Sequence, residues 1–249
     1  METILITGGA SGIGFTLAKS FSAKGHKVII AGRREKALAI ASKSLNTCQT
    51  VKLDVTAEDQ ITKTFSLLHN ENTLPSVLIN CAGAAFTAPF HKTTLADWQA
   101  MLNVNLTGTF LMTKAALPKM KAHGFGRIVN IASTAGLKGY AYTAAYTAAK
   151  HGVIGMTRAL AHELAGTGVT VNAVCPGFTD TEIVQNSIKN IIDKTDRSEE
   201  EALAELTKHN PEGRLIRPEE VANAVEWLIS KEASSINGQS IAVAGGEIM

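Results

Sequence analysis

The 249-residue sequence predicts an α/β fold built on a doubly wound parallel sheet of seven strands, and three observations lead there. Short apolar runs recur along the chain, and they are continuous in Val, Ile and Leu, as expected of parallel strands covered by helices on both faces. Stretches of helical periodicity separate them, which is the alternation of a doubly wound sheet. The first run passes directly into the glycine-rich turn Thr7-Gly8-Gly9-Ala10-Ser11-Gly12-Ile13-Gly14. Together these describe a Rossmann-type architecture.

In chain order, the predicted strands are 3–7, 27–31, 50–53, 77–80, 127–132, 169–175 and 239–243, each an apolar run of strand length. Helical periodicity fills the intervals 12–24, 35–45, 57–68, 94–123, 141–165 and 218–230. No Pro/Gly/Ser-rich linker, internal repeat or low-complexity segment interrupts the alternation, so residues 1–249 read as a single domain. The interval 179–214 is the exception. It is polar, contains the charged stretch 193–201, and separates two core strands by far more than the few residues usual for a connection. Placed after the carboxyl end of a strand, it reads either as a helical lid over a ligand crevice or as a surface excursion.

Composition excludes several classes of function. With 45% apolar and 18% charged residues, the chain lacks the polar bias of disorder. No uninterrupted apolar run reaches the roughly 18 residues that a membrane span needs. The opening residues 1–7 have no basic n-region and run straight into a strand, so the expectation is a cytoplasmic protein without a targeting segment. Cys48, Cys81 and Cys175 are scattered, without a CxxC, and read as small buried side chains. The seven histidines form no HxxH or HExxH group, so no metal is expected. A net charge of +2 without basic blocks argues against nucleic-acid partners.

The glycine-rich turn points to a phosphate. Gly8, Gly12 and Gly14 follow the pattern TGxxxGxG, which permits a tight turn, close approach of backbone N–H groups to an anion, and tight helix–strand packing. Alone, such a turn also serves as structural punctuation. A P-loop is excluded because no Gly-Lys-Ser/Thr follows. At the end of the second strand stands Ile30-Ala31-Gly32-Arg33-Arg34. An acid there would bind a ribose hydroxyl, whereas a base suits a 2′-phosphate, so NADP(H) is expected over NAD(H), with Arg33 the main contact and Arg34 and Ser11 secondary. The alternative is a solvated turn.

Tyr146 and Lys150 lie four residues apart, on one face of a helix. A tyrosine normally ionises near pH ~10, and a cation held beside it in a partly dry site favours the phenolate. That pair makes an acid/base group for chemistry near neutrality. The spacing by itself equally suits a packed tyrosine beside a solvated lysine.

With TGxxxGxG, Asn80-Cys81-Ala82-Gly83, Ser133, Tyr146-x3-Lys150 and Pro176-Gly177 in order, the whole chain resembles the short-chain dehydrogenase/reductase family, with Cys81 in place of the second Asn of the usual NNAG. The resemblance implies a catalytic group of Asn105, Ser133, Tyr146 and Lys150. Tyr146 would exchange a proton with the carbonyl or alcohol oxygen, and Ser133 would hydrogen-bond that oxygen. Lys150 would lower the tyrosine pKa and bind the nicotinamide ribose, and Asn105 would hold a water linking Lys150 to solvent. Ser133 capping its loop and Asn105 satisfying helix backbone are the structural alternatives. Beyond Gly8, Ser11, Gly12, Ile13 and Gly14, the implied cofactor contacts are Asp54 and Val55 at the adenine and Asn80, Ala82 and Gly83 beside the adenosine. Pro176, Gly177, Phe178, Thr179 and Thr181 would lie at the nicotinamide.

The tracts around Lys150 and Pro176 look like two subgroups, 3-oxoacyl-thioester reductases and 3-hydroxybutyrate dehydrogenases. Where the latter hold a carboxylate, the aligned positions are Ala85, Ala135, Thr143 and Ser187, with no cation or long amide among them. An acyl chain in a pocket of Ala85, Ala135, Leu137, Phe178 and Ile183, its CoA or acyl-carrier-protein thioester left outside, fits better. Steroid or cyclic ketones are the other substrate class. An NADP-sensing protein without catalysis is the alternative from outside enzymology. The resemblance further implies a homotetramer built through the helices of Asn105 and Tyr146, with Ala-rich faces permitting close approach.

Overall fold

In strand β1 (Thr3–Thr7) the side chains of Ile4, Leu5 and Ile6 are all fully buried. Ile4 and Ile6 enter one core and Leu5 the other, which is why the run is continuously apolar. Each such burial stabilises by about 1.5–3 kcal/mol. Strands β2 (Lys27–Gly32), β3 (Cys48–Lys52), β4 (Val77–Asn80), β5 (Gly126–Ile131), β6 (Val169–Pro176) and β7 (Ser240–Val243) complete one seven-stranded sheet in the order β3-β2-β1-β4-β5-β6-β7. Every pairing is parallel. The computed structural model describes residues 1–195 and 197–248; Asp196, inside the charged stretch 193–201, and Met249 lie outside the described residues.

Helices α1 (Gly12–Ala23), α2 (Glu35–Ser42) and α9 (Pro218–Ile229) cover one face through Leu17, Phe21, Leu38, Val221 and Val225. On the other face, α3 (Glu58–Asn70), α5 (Gly108–His123) and α6 (Ala144–Glu163) contribute Ile61, Phe65, Met112, Ala116 and Ala161. The chain winds outward from β1 to β3 and then returns to β4 on the other side of β1. The carboxyl ends of β1 and β4 therefore flank a topological switch point, where a crevice opens.

Several boundaries differ from the sequence expectation, and three have a visible cause. β3 starts at Cys48 because Val28↔Cys48 and Ile29↔Gln49 pair with β2, although residues 48 and 49 do not register as part of an apolar run. Helix 94–123 is divided into α4 (Leu95–Leu102), a π-turn (Asn103–Thr107) and α5. Helix 141–165 starts only at Ala144, because Tyr142 has φ of 66° and its carbonyl accepts from Ala88 N at 2.9 Å.

Within 179–214 lie two helices, α7 (Glu182–Lys194) and α8 (Glu199–Thr207), packed together through Val184, Ile188, Ala202 and Leu206. A bridge between Thr179 and Ile216 closes the base of this excursion, with Asp180 N donating to Ile216 O at 2.9 Å.

Candidate active site

The crevice is built first by backbone. Thr7 Oγ1, at the end of β1, accepts from Cys81 N and Ala82 N, both at 3.0 Å, and so ties the two sides of the switch point together. Gly8 (φ 66°) lies so near Ala82 that an added Cβ would come within 3.1 Å of its backbone, and a Cβ on Gly14 would lie 2.4 Å from Gly8 O. No L-residue with a side chain fits at Gly14 without displacing that turn. Ser11 precedes α1 as its N-cap yet makes no side-chain cap hydrogen bond, while Ile13 packs against the adjoining core. A bare turn feeding a helix N-terminus is a fitting cradle for a dinucleotide pyrophosphate. Thr181 roofs it, with Cγ2 3.2 Å from the position of a Cβ on Gly12.

At the far end of the crevice, Arg33 and Arg34 are both exposed beyond β2. Arg34 Nη2 stands 3.7 Å from Glu182 Oε2 at the start of α7, and an open cleft of about 570 Å³ between them is also lined by Lys189 and Gln185. Asp54 accepts from Thr56 N at 2.9 Å, and this hydrogen bond, aided by the Arg33 charge, holds its carboxyl below the usual range. Val55 is buried beneath Gly108, where it leaves no room for a Cβ.

The Asn80 side chain does not face the crevice. Its Nδ2 donates to Thr113 Oγ1 at 3.0 Å and to Asn130 Oδ1 at 2.9 Å, and Asn130 Nδ2 continues to Thr157 Oγ1 at 2.9 Å. The side chain anchors the sheet to α5 and α6, which leaves the Asn80 backbone, at the end of β4, as the part of this residue that borders the crevice. Ala82 and Gly83 do follow β4 into the crevice.

Ser133, Tyr146, Lys150 and Asn105 converge there from three elements. Ser133 ends the β5 connection and caps the short turn Thr134–Gly136, accepting from Ala135 N at 3.1 Å. Burial pushes the Tyr146 phenol up, and its hydrogen bond with the Ser133 hydroxyl acts in the opposite sense. Lys150 is buried within α6, its Nζ 5.6 Å from the centroid of the Tyr146 ring and donating to Ile131 O at 2.8 Å. Burial brings its pKa down to about 8, against the opposing pull of the Cys81 and Cys175 thiols. Burial thus moves the phenol up and the lysine down. Burial pushes Cys81 up to about 12 and Cys175 up to about 11, so neither is a reactive thiolate at neutral pH.

Asn105 occupies the π-turn. Its Nδ2 donates to Ala84 O at 2.9 Å and Met101 O at 3.0 Å, while Oδ1 accepts from Ala84 N at 3.3 Å. A Cβ on Gly83 would fall 2.7 Å from Asn105 Oδ1 and 3.7 Å from Lys150 Nζ, so Gly83 lies against both. Single-turn π segments recur at functional sites, where they re-aim a side chain.

Pro176 ends β6, and Gly177 N donates to Val243 O at 3.0 Å. Thr179 is buried, its Oγ1 donating to Gly177 O at 2.9 Å, which makes it a brace of this loop. Of the expected pocket wall, Ala85 and Ile183 are exposed, and Leu137 and Phe178 partly so. Ala135 is only 3% exposed and backs the turn instead of facing a ligand. Tyr140 was missed by sequence reading because it lies outside every motif; its ring meets Phe178 edge-on at 6.0 Å.

Among the described residues no group of three or more His, Cys, Asp or Glu side chains is placed to hold a metal, and no helix is long and apolar enough to cross a membrane.

Residues 8–247 match the family model described as Enoyl-(Acyl carrier protein) reductase. The chain is 40% identical over 247 residues to the 3-oxoacyl-(acyl-carrier-protein) reductase FabG of Aquifex aeolicus, covering 97% of this chain and 95% of that protein. It is 38% identical over 245 residues to the acetoacetyl-CoA reductase of Rhizobium meliloti, covering 98% and 97%. A crystal structure of an actinorhodin polyketide ketoreductase variant with NADPH superposes with a TM-score of 0.93 at 36% identity, covering 98% of this chain and 96% of that one. Fold and site together define an oxidoreductase that uses a nicotinamide cofactor. The chain belongs to the short-chain dehydrogenase/reductase family, and its relatives include 3-oxoacyl reductases.

Proposed function

We propose that this protein is an NADPH-dependent reductase that converts a 3-oxoacyl thioester, carried on CoA or acyl carrier protein, to the 3-hydroxyacyl form. The observation that carries the reading is the convergence of Ser133 and Lys150 on Tyr146 beside the glycine-rich turn. When bound, the nicotinamide supplies hydride to the carbonyl carbon. Tyr146 donates the proton to the carbonyl oxygen, and a phenol pushed up by burial is in the protonated form that reduction requires. Ser133 hydrogen-bonds the same oxygen as negative charge develops on it. Lys150 binds the nicotinamide ribose and lies against the phenol, and Asn105 orders the water route from Lys150 to solvent. Arg33, with Arg34 behind it, receives the 2′-phosphate, which gives NADPH its advantage over NADH.

The thioester assignment rests on the pocket wall and on the names of the relatives. Ala85, Leu137, Phe178 and Ile183 are small or apolar, and Lys138, the cation next to this wall, is already paired with Glu247 at 3.0 Å. Among the described wall residues and Lys138, a free carboxylate would find no unengaged cation. Helices α7 and α8 act as the lid, and the protein works as a cytoplasmic homotetramer. A groove of about 640 Å³ between α5 and α6, lined by Phe110, Leu117, Met156 and Leu160, supports assembly through that face.

The test is a substrate panel of 3-oxoacyl thioesters, free 3-oxo acids and steroid ketones, each with NADPH and NADH. The reading expects turnover of acetoacetyl-CoA or longer thioesters with NADPH. Turnover of steroid ketones alone would overturn it.

A further inference from the structure

A buried ionic cluster outside the motifs connects the end of the chain to the catalytic loop. The Glu247 side chain is only 1% exposed, and its Oε1 lies 3.0 Å from Lys138 Nζ. The same oxygen accepts from the Tyr140 hydroxyl, which also lies 2.6 Å from Thr134 Oγ1. Glu247 Oε2 lies on the other side, 3.1 Å from where a Cβ on Gly177 would stand. Lys138 Nζ sits 5.0 Å from the centroid of the Tyr140 ring, and the ring meets Phe178 and His209 edge-on at 6.0 and 5.7 Å. One carboxylate thus touches the Ser133–Tyr140 loop and the Gly177–Phe178 loop at once.

Placing a carboxylate out of water is costly unless charge and hydrogen bonds compensate. Two partners from one loop do so here, and both are lost if the tail moves. Thr134 directly follows Ser133, and Ala135 N donates to Ser133 Oγ at 3.1 Å, so a shift at Thr134 is passed directly to the hydroxyl beside Tyr146.

We propose that Glu247 is a positioning residue for the carbonyl-reducing site: through Tyr140 and Lys138 it holds the loop that aims Ser133, and through Gly177 and Phe178 it fixes the opposite wall. The proposal rests on the reductase reading for its kinetic consequence, but the coupling itself does not.

The experiment compares Glu247→Gln, Tyr140→Phe and the double variant in the full-length protein. Kinetics with NADPH and acetoacetyl-CoA are measured alongside NADPH binding by fluorescence and hydrogen exchange of the amides of Ala135 and Gly136. Small displacements of a catalytic group cost large rate factors, so each single variant is expected to lose about tenfold in kcat, with NADPH affinity held within about twofold. Because both act through one connection, the double variant is expected to be no worse than the poorer single one. Exchange at Ala135 and Gly136 is expected to quicken in all three. Losses that multiply in the double variant, or a lowered melting temperature with kcat and exchange unchanged, would overturn the proposal. If Glu247→Gln fails to fold, Tyr140→Phe alone decides by the same kcat and exchange readings. If the wild type reduces no carbonyl, the reductase reading fails while the exchange result still decides the coupling.

Discussion

Lys150 Nζ donates to the Ile131 carbonyl at 2.8 Å and stands 5.6 Å from the centroid of the Tyr146 ring, so the cation borders the phenol while being held by the strand end. Burial lowers its pKa from 10.5 to about 8. The unfolded chain therefore binds more protons than the folded one between those values, and folding stability supplied by this residue rises with pH across that window. The burial cost is fully present below pH about 8 and is relieved toward pH 10.5. Melting curves of the wild type and Lys150→Met should show the wild type gaining on the variant between those pH values. A constant difference would mean that Lys150 keeps its ordinary pKa.

Gly14 faces Gly8 O so closely that Gly14→Ala forces the turn open. Overpacking of this kind costs about 1–3 kcal/mol. The cradle is displaced as well, so NADPH binding measured by fluorescence should weaken by at least about tenfold, equivalent to 1.4 kcal/mol. Unchanged binding would place the pyrophosphate elsewhere.

Arg33→Ala should raise the KM for NADPH and leave that for NADH nearly unaltered. A charge-assisted hydrogen bond is worth about 1.5–3 kcal/mol, which corresponds to a change of roughly 10- to 100-fold. Arg34→Ala should act in the same direction and more weakly, because Arg34 already faces Glu182. An unaltered preference in Arg33→Ala would contradict the 2′-phosphate assignment.

Ser133→Ala and Asn105→Ala should separate chemistry from architecture. Loss of the Ser133 hydroxyl should reduce kcat by about 10²- to 10³-fold, with a small change in melting temperature. Asn105 bonds the part-buried Ala84 backbone and the buried Met101 carbonyl, so its removal loses hydrogen bonds worth about 0.5–1.5 kcal/mol each and should lower melting temperature and kcat together. A Ser133→Ala protein with normal kcat would remove the serine from the mechanism.

The strands were legible because both faces of this sheet are covered, and β1 writes that fact directly as Ile4-Leu5-Ile6. The glycine turn and the Tyr146/Lys150 pair were legible for a different reason, since their geometry and chemistry show in the local spacing, whereas Ser133 and Asn105 came only with the family resemblance. The π-turn was not legible. It depends on Ala84 meeting the Asn105 side chain and on Val55 pressing against Gly108, contacts between segments distant in sequence. The anchoring of the Asn80 side chain was not legible either, because nothing nearby in the sequence announces Thr113 and Asn130 as its partners. Tyr140 and Glu247 are separated by 107 residues, and a polar residue near a chain end reads as solvated until the fold buries it.

The most direct test of the central claim is stopped-assay NADPH oxidation with acetoacetyl-CoA by the wild type and by Tyr146→Phe. The wild type should turn over steadily and the variant should lose about 10²- to 10⁴-fold in kcat, the scale of a lost general acid, with NADPH binding retained. A Tyr146→Phe protein that reduces the thioester at near-normal rate would contradict that claim.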